Sequence, residues 1–381
     1  MIKNLPRNIE NFITETIGLK AGLGDRAFKD RLRQLKDDLR GLSDSFVASV
    51  PAGSEFADAY FAYNFPLNFM KSYYIGARLI THYGAAIKNA KQISILDIGC
   101  GAGAGMYGLC HALRDTGAGH GYRVTGIDSS KSLIARSRAL GLRLSGINKE
   151  CTVEHLPMDI DADLFRILSE DSKRYDLILF SNSLIEIIRT KMLSLSFIDE
   201  AFVCLSDRGS LIMVEPALKD CARRLMGLRN IIARDSKHEI VMPCGHNSEC
   251  PLLALEDREE WCHFSVPWQP PEYLRRLNQG LNREVDMLKF SCLVLSKPVS
   301  QGTMPRGQVV ISRLIREKGK RKLLICARSG RIEVYRLDKD ESASNQAFEN
   351  IKSGDTIVLS DHIEKRPDLW RIDSATSVTV L

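Results

Sequence analysis

The chain has 381 residues, 44% of them apolar and 26% charged, with a net charge of +6. That composition excludes a low-complexity or disordered chain, is ordinary for a soluble globular protein with more than one domain, and contains no apolar run approaching the roughly 18 residues of a membrane span. Met1–Lys20 lacks a signal-peptide core and carries Glu10 and Glu15, so the ten cysteines are expected in a reducing compartment, as buried thiols or metal ligands rather than disulfides.

Residues 1–85 read as a helical N-terminal segment. Phe12, Ile13, Ile17 and Leu19, then Phe28, Leu32 and Leu35, recur at three- to four-residue spacing and predict amphipathic helices packed on a neighbour. Tyr60, Phe61, Tyr63, Phe65, Phe69, Tyr73 and Tyr74 form an aromatic stripe over Phe56–His82, expected as core.

From Gln92 the pattern alternates between strands and helices, and residues 86–298 form a second region. Ile93–Ile98 is a short apolar run ending in Gly99-Cys-Gly-Ala-Gly-Ala-Gly105, followed by a helical stretch from Met106 to about Arg114. A strand entering a glycine-rich turn that opens a helix is the nucleotide-binding start of a doubly wound sheet. Tyr122–Ile127 ends at Asp128, with Ser129 or Ser130 able to cap the next helix. Cys151–His155, Asp176–Phe180 and Ser210–Val214 are further parallel strands, and Asp286–Ser296 is expected last, antiparallel at the sheet edge. A linker from Lys297 to Pro305 precedes a third region, 306–381, with strands predicted over Gln308–Ile315, Lys322–Ala327, Arg331–Tyr335, Thr356–Leu359 and Val378–Leu381. Several short strands in so small a region suggest a β-barrel of the OB type.

Gly99, Gly101 and Gly103 allow the backbone to approach a ligand at the carboxyl ends of the strands. Gly99-x-Gly101-x-x-Ala104 keeps a nicotinamide reading open, but an acid at Asp97 suits an ammonium better than a pyrophosphate. S-adenosylmethionine carries an α-ammonium and a ribose diol, to which Asp97 and Asp128 are complementary through charge-assisted hydrogen bonds. The loop and its later acids resemble the class I methyltransferase fold, and the resemblance implies Asp159 near the adenine amino group. After the fourth strand, Phe180-Ser-Asn-Ser-Leu-Ile-Glu186 lacks both the Asn/Asp-Pro-Pro-aromatic signature of base-directed amino methyltransferases and the paired cysteines of cytosine C5 enzymes. Asn182 is kept as a cofactor-side candidate and Glu186 as a weak one; a helix cap and a solvated side chain explain them equally. No catalytic residue is identified.

Val241–Phe264 holds Cys244, Cys250 and Cys262 with His246 and His263, in a segment whose prolines deny it a long regular element. Five residues separate the first two cysteines and eleven the next two, wider than structural zinc usually takes, and better suited to an iron–sulfur cluster. On spacing alone the fourth ligand is Cys221, Cys292 or Cys326, or a histidine completing a zinc site. Cys100, Cys110, Cys151 and Cys204 read as small buried hydrophobes.

Glu215-Pro, Pro243-Cys-Gly-His-Asn-Ser-Glu-Cys-Pro251, Trp261-Cys-His-Phe264, Lys289-Phe-Ser291 and the upstream Ala59–Pro66 resemble the methyltransferase-like proteins of the mitochondrial small ribosomal subunit and their bacterial relatives, over about residues 55–335. The resemblance implies small-subunit assembly, an S-adenosylmethionine-type domain and a [4Fe-4S] cluster on Cys244, Cys250, Cys262 and Cys326. It implies the bacterial cytoplasm or, alternatively, the mitochondrial matrix. A cluster there would staple the loop to the C-terminal strands. Residues 301–336 carry ten Lys or Arg against two acids. Arg313, Arg316, Lys318, Lys320, Arg321 and Lys322 are therefore the candidates for RNA phosphate contacts, with Arg223, Arg224, Arg229 and Arg234 as a second basic group. The expected function is an S-adenosylmethionine-binding, iron–sulfur factor acting on the small subunit and its rRNA, without a membrane and monomeric away from the ribosome. An active rRNA methyltransferase and an iron–sulfur redox protein are the alternatives. No Cys-x3-Cys-x2-Cys is present, which argues against radical chemistry.

Overall fold

The computed structural model describes residues 4–19, 24–47, 56–83, 85–145, 151–158, 173–185, 187, 195–235, 237–254, 260–281, 283–297 and 307–381. In chain order the elements are helices α1 (Arg7–Thr16), α2 (Asp25–Val47), α3 (Ala57–Tyr83) and α4 (Ala85–Lys88), then β1 (Gln92–Ile98), α5 (Ala104–Asp115), β2 (Gly121–Asp128), α6 (Lys131–Ser145), β3 (Cys151–Pro157) and β4 (Tyr175–Ser181). There follow α7 (Leu195–Val203), β5 (Leu205–Pro216), α8 (Lys219–Asp235), β6 (Glu239–Met242), α9 (Pro251–Ala254), β7 (Phe264–Pro267), α10 (Glu272–Asn278) and β8 (Met287–Ser296). The C-terminal strands are β9 (Gln308–Val310), β10 (Ile315–Glu317), β11 (Lys320–Ala327), β12 (Gly330–Leu337), β13 (Thr356–Ser360), β14 (Ile363–Arg366), β15 (Leu369–Ile372) and β16 (Ser377–Val380). The chain divides into two units, Met1–Ile187 with Val266–Leu288, and Ile188–Ser265 with Lys289–Leu381.

In the first unit the strands run in the order β3-β2-β1-β4, all parallel, with Ile95 opposite Val124 on one side and Leu177 on the other. Parallel strands buried on both faces explain why β1 and β4 read as almost unbroken apolar runs. This is the parallel order of a Rossmann-like, doubly wound sheet. The aromatic stripe of α3 is core: Phe61, Phe65 and Phe69 are buried, with Phe61 and Phe65 ring centroids 4.9 Å apart. The α3 and α5 backbones approach closely because Gly76 and Gly108 lack side chains; a Cβ on Gly108 would stand 2.2 Å from Phe69 O. Asp58 receives both Arg31 of α2 and Arg136 of α6, and Tyr273 of α10 donates to Ala62 O at 3.2 Å.

In the second unit β8 pairs antiparallel with β5 on one side and β6 on the other. The antiparallel direction matches expectation, but β8 is not the edge, because β6 covers it. Four residues running into Pro243 are too few to carry a strand pattern of their own. The C-terminal strands form a second, curled sheet in the order β14-β15-β12-β11-β9-β13-β16, with β10 on β11. Among the described residues no pairing joins β14 to β16, so the region is a curled sheet, and the expected OB-type barrel is not confirmed. Val310, Leu323, Ile325, Ile332, Val334, Phe348, Ile357 and Ile372 are its core.

The run predicted over Gln308–Ile315 is two strands: Ser312 turns inward to accept the Leu324 N–H at 2.8 Å, which interrupts the ladder. The β14–β15 hairpin was missed because Ile363-Glu-Lys-Arg366 shows no buried alternation. No described helix is long and apolar enough to cross a membrane.

Candidate functional site

The glycine loop stands at the carboxyl end of β1, where Gly99, Gly101 and Gly103 take φ of 73°, 51° and 87°, the left-handed region that favours glycine. Gly99 and Cys100 donate their N–H groups to Ile127 O at 2.8 and 3.0 Å. Asp128 then latches the turn: Oδ2 accepts the Gly101 N–H at 2.7 Å and Oδ1 the Ser130 N–H at 2.8 Å. Ser130 caps α6, accepting the Leu133 N–H at 3.4 Å.

Asp97 lies beneath this loop with no exposed surface, its Oδ2 accepting the Met106 N–H at 3.0 Å and its Oδ1 buried without a partner among the described residues. Burial pushes the Asp97 carboxyl up to about 7, and the nearby charge of Asp128 adds to this. An orphaned acceptor on a desolvated acid fits a cationic or hydrogen-donating ligand group. Asn182 follows β4 with φ of 59°, a conformation asparagine tolerates, and the adjacent Ser183 hydroxyl donates to Ile98 O at 2.6 Å. Asp97, the three glycines, Asp128 and Asn182 therefore share the carboxyl ends of neighbouring strands. Asp159 and Glu186 lie outside the described residues.

In the second unit the cysteine loop is fixed largely through its backbone. Asn247 Oδ1 accepts the Ile240 N–H at 3.1 Å, Asn230 Oδ1 accepts the Cys250 N–H at 2.6 Å, and Cys262 O accepts the Ser291 hydroxyl at 2.8 Å. The Trp261 indole N–H donates to Ala217 O at 3.0 Å. Gly245 meets the backbone ahead of β9, where a Cβ would stand 1.9 Å from Gly307 O.

Cys244, Cys250, Cys262 and Cys292 line one cavity, and Cys244, Cys262 and Cys326 line a second, together with His246 and His263. Two sulfurs common to both cavities bring all four predicted ligands around one region, with Cys292 as a fifth thiol; Cys221, buried in α8, lines neither. Among the described residues no three Cys, His, Asp or Glu side chains stand together closely enough to hold a single metal ion. Burial pushes the Cys244, Cys262 and Cys326 thiols up, Cys326 to about 12, and the neighbouring cysteines add to the effect. Burial and mutual repulsion thus keep these sulfurs protonated unless a thiophilic cation offsets both. In chemical type, four thiols lining these two cavities suit a thiophilic metal centre wider than a single ion.

Of the second basic group, Arg229 is buried, 3% exposed, against these thiols. It is not a phosphate contact. Arg223 donates to Glu260 O, Arg224 pairs with Asp220 and Arg234 with Glu249.

The basic stretch of the second sheet is laced with acids. Arg316 pairs with Glu349, Lys320 with Glu333, Arg321 with Asp338, and Lys322 with Glu317. Arg313 and Lys318 are exposed, with no ion pair among the described residues. A pairing the sequence did not reveal is Arg336, fully buried and tied to Glu341, Glu349 and Asn345. Only the later glutamates in a region of low hydrophobicity could have hinted at it.

The family profile described as mitochondrial small ribosomal subunit Rsm22 matches residues 55–357. No curated protein matches the chain. Among solved structures the chain is similar to the plantazolicin methyltransferase BpumL in complex with SAH, at 13% identity over 71% of this chain and 99% of that one, with a TM-score of 0.38. It is also similar to a protein of Listeria monocytogenes described as a class I S-adenosylmethionine-dependent methyltransferase, at 14% identity over 78% and 90% of the two chains, with a TM-score of 0.37. An O-methyltransferase from Bacillus cereus in complex with SAH gives 12% identity over 76% and 100%, with a TM-score of 0.35. Likenesses this distant leave the fold assignment to the strand order itself.

Proposed function

The chain belongs to the mitochondrial small ribosomal subunit Rsm22 family, and from that premise we propose a methyltransferase-like factor that binds S-adenosylmethionine and acts on the small ribosomal subunit and its rRNA, in assembly or translation. In this reading Asp97, Gly99, Gly101, Gly103, Asp128 and Asn182 hold the cofactor, and Asp159 completes its adenine side. Cys244, Cys250, Cys262 and Cys326 would hold a [4Fe-4S] cluster, with zinc as the rival occupant. A centre bound there supplies a cross-link between the cysteine loop and the curled sheet, so that metal affinity becomes folding stability of this unit. The compartment is a reducing one, bacterial cytoplasm or mitochondrial matrix.

The observation that carries the reading is the coincidence of the family match with four thiols on two adjoining cavities, one thiol contributed by a strand 64 residues beyond the last loop cysteine, at Cys262 and Cys326. An active rRNA methyltransferase is the second reading, favoured by the orphaned Asp97 oxygen beneath the glycine loop.

Anaerobic purification with iron, sulfide and zinc analysis, on the parent and on Cys326→Ser, tests the proposal. About four irons per chain, lost in the variant, is the expected result. Stoichiometric zinc without iron would replace the cluster by a zinc staple, and absence of both would remove the metal reading. Methyl transfer from labelled cofactor to small-subunit particles separates the enzyme from the binding platform.

A further inference from the structure

The most anomalous charge in the second unit is Arg229. It sits on the inner face of α8 beside Cys221, Ala222, Leu225 and Met226, and is 3% exposed. Its guanidinium donates to Asn230 Oδ1 at 3.2 Å and to His246 O at 2.9 Å, lies 3.3 Å from His246 Nδ1, and lines the same cavity as Cys244, whose thiol its charge acts on. Its Nε is buried with no partner among the described residues. Every one of these contacts is neutral, and among the described residues Arg229 makes no ion pair. Glu249, an acid it influences, is exposed and forked on Arg234 at 2.7 and 3.0 Å.

A guanidinium does not shed its proton in a protein, so burial cannot be relieved by neutralisation as it is for a lysine. An unpaired buried charge of this kind is strongly unfavourable and calls for a negative partner. The groups it shares a cavity with are Cys244, Cys250, Cys262 and Cys292. Four thiolates on a doubly charged cluster core, or on a zinc ion, leave a net charge of about −2. That is the missing countercharge.

We propose that Arg229 is the counter-cation of a metal–thiolate centre on Cys244, Cys250, Cys262 and Cys326, hydrogen-bonding the Cys244 sulfur and opposing the negative charge of the centre. It is a positioning residue, and the proposal rests on the metal reading above. For an iron–sulfur centre a fixed adjacent cation favours the more negative, reduced form, so its removal lowers the reduction potential. For zinc it slows release.

The test uses the full chain purified anaerobically, as parent, Arg229→Met and Arg229→Lys. Metal analysis of the parent comes first: a parent with neither iron nor zinc overturns the metal reading and this inference with it. With iron present, redox titration followed by visible absorption is expected to show the Met variant reduced about tenfold less readily, equivalent to 59 mV for a one-electron couple. The Lys variant should stay nearer the parent. With zinc present, release to a chromogenic chelator should be at least tenfold faster in the Met variant. A metal-loaded parent with an unshifted Met variant overturns the role of Arg229 alone. So does equal loss of the centre in the Met and Lys variants, since a fork of hydrogen bonds rather than a charge would then be responsible.

Discussion

Asp97 carries the first testable consequence, because its burial ties the glycine loop to pH. Its folded-state carboxyl is raised from 3.8 to about 7, so between those values the folded chain holds a proton that the unfolded chain has released. The sign follows: the contribution of Asp97 to stability falls as pH rises from about 4 to about 7, and the penalty is complete above that. Asp97→Asn keeps an acceptor for the Met106 N–H and cannot ionise. Relative to the parent it should therefore gain stability as pH rises, levelling above pH 7 at a difference on the order of 4 kcal/mol at most. Urea unfolding of both proteins from pH 5 to pH 8 checks this; a pH-independent difference would place the cost elsewhere. If S-adenosylmethionine presents a cation here, it should protect the parent more than the variant, most visibly above pH 7.

Elements were legible where a strand or helix is long enough to express its period, and illegible where it is not. The glycine loop, β1, β2 and β4 could be read because seven or eight residues of buried parallel strand leave an apolar run that ends at a small or polar residue: Gly99, Asp128 and Ser181. β6, β10, β14 and β15 have three or four residues each, fixed by their neighbours rather than by their own pattern. At the cysteine site the donors were visible as residues, but Arg229 stands in the sequence as one member of a basic group beside the loop, since nothing in Arg-Asn-Ile-Ile distinguishes a buried arginine from an exposed one. Nor does sequence spacing reveal that Gly245 packs on Gly307. Two glycines in this unit should respond oppositely to one methyl group. Gly245→Ala would force the loop from the backbone ahead of β9 and should destabilise by about 1–3 kcal/mol. Gly227→Ala, on α8 with nothing within 4 Å of the new carbon, should stabilise by about 1 kcal/mol through helix propensity. Chemical denaturation of the two variants distinguishes them; a neutral Gly245→Ala would show that the loop does not need this approach.

For the whole molecule the question is how much of its positive charge is available to a polyanion. A net charge of +6 is modest, and the ten basic residues of 301–336 overstate the field of the curled sheet, because Arg316, Lys320, Arg321 and Lys322 each face a carboxylate. Such pairs are weak where exposed, about 0–1 kcal/mol, so a phosphate can still displace them, but each displacement returns a repelling acid to the same surface. Arg313 and Lys318 carry no such debt. If the sheet binds rRNA, Arg313→Gln and Lys318→Gln should weaken binding most and should each reduce the slope of log affinity against log salt by roughly 0.7–0.9. Lys320→Gln, whose ammonium is held by Glu333 and lies 4.5 Å from the Tyr335 ring centroid, should do less. Glu317→Gln, by contrast, should strengthen binding, since it frees Lys322 and removes a charge from beside the phosphates. Fluorescence anisotropy with a small-subunit rRNA fragment over 50–200 mM salt reads all four. Equal slopes in the parent and in Arg313→Gln and Lys318→Gln would move the RNA contact off this sheet.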